Sequence, residues 1–203
     1  SLNQYPFVST NVTLMPDTSI IGHIKRFIEI DGRDFPISGG CMGICLDSVS
    51  EYCLNYYNED WIWVGLQIPR HKIKTVGKVD QEPFDPFDVS LHEVFWQEFG
   101  EVLEYGVINC DEINTLRSDQ YWGDVLAKME RDRWASLIRL LTSDNDCPDN
   151  SKLFLQSAML FNRYTDSKSF SQVFKTYFEN RLEWEMCINI CKRLDMDDNG
   201  IFY

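Results

Sequence analysis

The sequence predicts an α+β protein, with a small mixed α/β N-terminal region followed by a mainly helical C-terminal half. Three observations predict it. Before about residue 85, short runs rich in β-branched and aromatic residues alternate with turn formers. After it, apolar residues recur at three-and-four spacing over four long segments. Between the two lies a stretch with two prolines and four acids, Asp80 to Asp88, whose ring-locked positions cannot continue a regular element. This places a mixed region at 1–80, a linker at 81–89 and a helical region at 90–203, either as two units or as one continuous domain.

In chain order, Ile24 to Ile30, the Asp31-Gly32 turn and Arg33 to Ile37 read as two short extended runs about a turn. Leu46, Val49, Tyr52, Cys53, Tyr56 and Tyr57 recur at helical spacing, which predicts a helix from about Ile44 to Tyr57. Asp60 to Ile68 is β-branched and aromatic and is closed by Pro69, which predicts a buried strand. Helices follow at about Ser90–Glu104, Asp119–Thr142, Ser151–Tyr164 and Lys168–Leu194. Ser90 and Glu93 have the spacing of a capping box, and Ser118 or Asp119 can cap the next helix. The turn formers from Ser143 to Asn150 separate the middle helices. Phe170, Phe174, Tyr177, Phe178 and Trp184 recur at helical spacing and are assigned to the core. Arg131, Arg133 and Arg139, set among acids, are assigned to a solvated face.

Composition narrows the function. Of 203 residues, 44% are hydrophobic and 14% aromatic, enough apolar surface to offset the entropy of ordering the chain. Thirty-two acidic against nineteen basic residues give a formal charge of -13. That sign disfavours nucleic acid and anionic membrane as partners and steers the chain toward a basic protein. Seven cysteines, an odd number in a chain large enough to need no staples, fit a reducing, cytoplasmic setting. The sequence shows neither a signal segment nor an apolar run long enough to span a membrane, and Asn11-Val12-Thr13 is then a chance glycosylation sequon.

Three features bear on chemistry. Gly39-Gly40-Cys41-Met42-Gly43-Ile44-Cys45 leads into the helix expected at Ile44, where peptide dipoles would favour a thiolate and the glycines would admit a substrate backbone. This short stretch resembles the surroundings of the nucleophile in papain-like cysteine proteases. The resemblance implies Cys41 or Cys45 as nucleophile and a downstream histidine, His71 or His92, as base, with Asp85 or Asp88 to orient it. It lacks the aromatic that follows the papain-like cysteine, and the bland reading is a tight turn with two small core cysteines.

The second feature is Asp195, Asp197, Asn199, Gly200 and Ile201, which match positions one, three, five, six and seven of an EF-hand calcium loop. Position twelve would lie beyond Tyr203, so the match implies a fragment of a calcium-binding EF-hand protein. The other reading is an acid-rich stop to a helix. The third feature is the pair of doublets Cys41/Cys45 and Cys187/Cys191, four thiolates in principle, though 141 residues separate them and nothing in the sequence brings them together. No cofactor is expected, and calcium is the one ion to which the sequence points.

The function expected is a non-enzymatic, acidic protein-binding module, of inhibitor or immunity type, that covers a basic surface of a partner protein. A papain-like cysteine hydrolase and an EF-hand fragment are the alternatives.

Overall fold

A computed structural model describes residues 5, 7–13, 18–28, 42–45, 49, 51–67, 73–143 and 147–197, with 191–197 described by backbone alone. Among the described residues, three strands and six α-helices follow in the order β1 (Phe7–Thr13), α1 (Ile20–Phe27), β2 (Met42–Ile44), α2 (Glu59–Gln67), β3 (Ile73–Asp80), α3 (Leu91–Ile108), α4 (Asp119–Thr142), α5 (Ser151–Tyr164) and α6 (Ser167–Asp197). A 3-10 turn, Ile113–Arg117, joins α3 to α4. The α+β class with a helical C-terminal half is the observed one.

The sheet has the order β2-β1-β3, with β2 antiparallel and β3 parallel to β1 and a bulge between Ser9 and Thr10. Phe7 and Ser9 alternate inward on β1, and the Phe7 ring meets Trp63 of α2 edge-on at 5.4 Å. That contact anchors the sheet to the helices.

The starts of α3 and α4 are capped by serines in the sequence. The Ser90 hydroxyl accepts from the Glu93 amide at 3.3 Å, and the Glu93 carboxylate accepts from the Ser90 amide at 2.7 Å, which completes a capping box. Ser118 accepts from the Tyr121 amide at the start of α4. The expected Asp119–Thr142 and Ser151–Tyr164 are found at those bounds, and α3 and α6 run a few residues longer than expected.

Three N-terminal expectations are overturned. Residues from Ile24 to Phe27 are helical rather than extended, because Ser19 caps α1 through the Gly22 amide and Ile20, Ile21, Ile24 and Ile28 then share one buried face. Residues 29–40 lie outside the described residues. Asp60 to Gln67 is a helix rather than a strand, opened by acidic Glu59 and Asp60. The helix expected from Ile44 is absent among the described residues there: β2 ends at Ile44, and residues 51–58 are irregular.

Besides Phe7, Trp63 and Val64 beneath the sheet, two larger clusters carry the core, and both join residues from either side of the 81–89 segment. One gathers Leu54, Ile62 and Leu66 with Val102, Trp122, Phe170, Phe174 and Tyr177. The other joins the isoleucines of α1 to Val94, Leu137, Phe154, Leu155 and Ala158. Phe170, Phe174 and Tyr177 are core as expected, and Phe178 packs partly buried against the same cluster.

The approach of α3 to α4 depends on Gly106. A methyl group there would overlap the six-membered ring of Trp122, a side chain fully buried and held by its indole N–H donating to the Leu116 carbonyl at 2.7 Å. Gly106→Ala is expected to cost about 1–3 kcal/mol, read as a lowered denaturation midpoint with an unchanged slope.

Candidate functional site

The surface with the clearest binding character lies where the acidic segment enters α3. Glu82, Asp85, Asp88 and Glu93 are exposed, and so are Phe84, Leu91, Phe95 and Trp96. On α3, Leu91, His92, Phe95 and Trp96 occupy one side, because steps of one, four and five residues return to the same arc of a helix. Large apolar side chains rimmed by charge form the composition of protein interfaces. The aromatic rings are pre-positioned by packing beneath them: Phe95 stacks on Phe161 at 6.1 Å, and Trp96 lies 5.8 Å from Tyr56 and 6.4 Å from Phe99.

What fixes α3 in place is a buried ionic cluster that adjoins this face through Glu98. Arg133 of α4, only 1% exposed, grips Glu98 with Nε 3.1 Å from Oε1 and Nη2 2.9 Å from Oε2. It also pairs with Glu101. Asn162 of α5 donates to Glu98, and Ser19 ahead of α1 donates to Glu101. The Gln97 side-chain oxygen accepts from the Ile20 amide at 3.0 Å. Four helices thus meet at one charged point. Burial opposes the guanidinium charge, but the two carboxylates outweigh it and hold Arg133 protonated. Burial, and next the Arg133 charge, lower the pKa of Lys25 nearby. Arg133 is therefore not on a solvated face as expected, whereas Arg131 and Arg139 are exposed.

One turn further along α3, Glu104 accepts from Asn58 Nδ2 at 2.7 Å. Burial, reinforced by the Glu101 and Asp60 charges, pushes its carboxyl up to about 8. Asn58 itself sits at a positive φ of 62°, a conformation asparagine tolerates better than most residues. A second buried polar group ties α6 to the segment before α2: the Tyr177 hydroxyl donates to Glu51, Arg181 pairs with Glu51 at 3.2 Å, and the Trp63 indole donates to the Glu51 carbonyl at 2.7 Å. Beside it lies an open groove of about 430 Å³, walled by Tyr52, Tyr56, Gln172, Thr176, Tyr177 and Asn180.

The residues singled out by sequence fall as follows. Cys45 is half-buried just after β2, and among the described residues no helix begins at Ile44. Cys41 and His71 lie outside the described residues. His92 is exposed in the first turn of α3, and among the described residues no hydrogen bond joins it to Cys45. Cys53, exposed in the irregular segment, has its thiol pKa raised by burial and next by Glu59 and Asp60. Asp195 and Asp197 stand on helical backbone, since α6 continues through Asp197. Asn199 and Ile201 lie outside the described residues, as does Gly200. Cys187 is exposed on α6, and Cys191 is described by backbone alone. Among the described residues, no three of His, Cys, Asp and Glu are placed to hold a metal ion, and no helix is long and apolar enough to cross a membrane.

The Arg133 cluster was missed in the sequence although a signal was present. Trp122, Val125, Leu126, Met129, Arg133, Ser136 and Leu137 form one stripe at helical spacing, and Arg133 falls inside it. Comparison with family models, with curated proteins and with solved structures gave no match.

Proposed function

We propose that this protein is an acidic protein-binding module, of inhibitor or immunity type, that covers a basic surface of a partner protein. The observation that supports this most is the exposed aromatic face of Leu91, Phe95 and Trp96 beside the acidic residues Glu82, Asp85, Asp88 and Glu93. Aromatic anchors supply affinity once desolvated, and the acidic rim supplies steering and register toward positive charge. The formal charge of -13 extends that field over the whole chain. The buried ionic cluster keeps α3 rigid, so that little ordering entropy is lost on binding.

The test is co-purification of the tagged protein from its native cell extract at low and at high salt. A stoichiometric basic partner, retained at low salt and released at high salt, is the expected result. Recovery of the protein alone at both salts contradicts it.

A further inference from the structure

Among the other exposed apolar side chains, the stripes on α4 and α6 carry opposite charge. On α4, Trp134, Ile138 and Leu141 follow one another at four and three residues and are 40 to 59% exposed. Exposed Arg131 lies beside them, whereas Lys128 sits over the Tyr105 ring of α3 and Arg139 donates to the Ile28 carbonyl. Glu130, on the other side of the stripe, is already paired with Arg163. On α6, Leu182, Met186 and Ile190 are 54 to 69% exposed and are flanked by exposed Glu179, Glu183 and Glu185, of which Glu185 pairs with Arg181. Arg181 and Trp184 hold this part of α6 to the segment before α2, through Glu51 and Tyr52, while Leu182, Met186 and Ile190 stay exposed.

The two stripes cannot meet within one chain. Trp122 stacks on Phe170 and Phe174, Asp119 meets Ser171 and Lys175, and Arg117 lies 4.2 Å from the Phe178 ring centre. Earlier residues around the start of α4 thus meet later residues of α6, so the helices run antiparallel and α6 passes beyond the start of α4. Trp134 lies about 22 Å along α4 in the opposite direction. The stripes do match across chains: at 1.5 Å per residue they span about 11 Å and about 12 Å.

We propose that they are the two halves of one head-to-tail interface between copies of this chain, the α6 stripe of one copy lying on the α4 face of the next. Three apolar side chains on each side form its centre, and Glu179 and Glu183 meet Arg131 at its rim. Because the two halves differ, the contact is heterologous, closing as a ring or growing as a chain. It goes beyond binding to a foreign partner and uses none of the α3 face.

The test is sedimentation velocity of the full chain over a range of concentrations at low and high salt, with Ile138→Glu and Met186→Lys. Wild type is expected to assemble as its concentration rises, and more fully once salt screens the repulsion between copies of formal charge -13 than at very low salt. Each variant alone is expected to be monomeric, its association weakened at least about thirty-fold, with an unchanged circular dichroism melt because both side chains are exposed. An equimolar mixture of the two variants retains one intact pairing and is expected to form a heterodimer. A wild type that stays monomeric throughout, assemblies that survive both substitutions, or a mixture of folded variants that stays monomeric would each overturn the proposal. So would a monomeric chain whose α6 stripe captures a foreign basic protein.

Discussion

Arg133→Ala is expected to lower the unfolding free energy by about 3–5 kcal/mol, the cost of leaving a buried carboxylate without its counter-charge. The side chain is 1% exposed and holds Glu98 through two N–H groups. Its loss leaves Glu98 with only the Asn162 amide as donor and removes the charge partner of Glu101. A double variant, Arg133→Met with Glu98→Leu, is expected to recover most of the loss, because an apolar pair of similar volume is often as stable as the ion pair it replaces. Urea unfolding of the wild type, the single and the double variant measures both. Similar stability of the single variant and wild type would show that the cluster does not hold α3. The double variant also separates stability from binding, since it leaves Leu91, Phe95 and Trp96 untouched.

Stability is expected to fall as pH rises from about 4.5 to about 8, with Glu104 as a main contributor. Its folded carboxyl is raised from 4.5 to about 8, so across that interval the folded chain holds a proton that the unfolded chain has released. Folding is therefore increasingly disfavoured as pH rises through the interval, and this contribution levels off above it. A shift of that size corresponds to about 5 kcal/mol at most. The side chain is only half-buried, so about 2 kcal/mol is the expected size. Glu104→Gln keeps an oxygen to accept from Asn58 and removes the ionisation. It is expected to gain about 2 kcal/mol at pH 8, to change little at pH 4.5 and to flatten that part of the profile. Parallel profiles for wild type and variant would exclude Glu104 as the source.

The helical half was legible because its signals are local. Ser90 with Glu93, and Ser118, announce helix starts through side-chain-to-backbone bonds that need no tertiary partner. The apolar stripes of α4 and α5 repeat long enough to exclude a strand. The N-terminal region was misread where tertiary burial decides. Ile62 to Gln67 is buried throughout, and a segment buried on every side carries no period to distinguish helix from strand. Its helical signal lay instead in Glu59 and Asp60 at the start. From Ile24 to Ile30 three isoleucines suggested an extended run, but up to Phe27 Ser19 capping and a shared face against Phe154 and Leu155 override that preference. The aromatic face on α3 was not legible, since exposure of Phe95 and Trp96 depends on how far α5 and the segment before α2 cover the helix. The acidic segment beside it was legible from composition alone.

The most direct measurement is calorimetric titration of the basic partner proposed above, once recovered by co-purification, into wild type, Trp96→Ala and a chain with Glu82→Gln, Asp85→Asn and Asp88→Asn. Trp96→Ala is expected to weaken binding by about 30-fold or more at all salt concentrations, as the loss of an aromatic anchor does. The charge-neutralised chain is expected to bind more slowly and to lose much of its salt dependence. Equal affinity and equal salt dependence for all three, with folds intact, would contradict the assignment of this face as the binding surface.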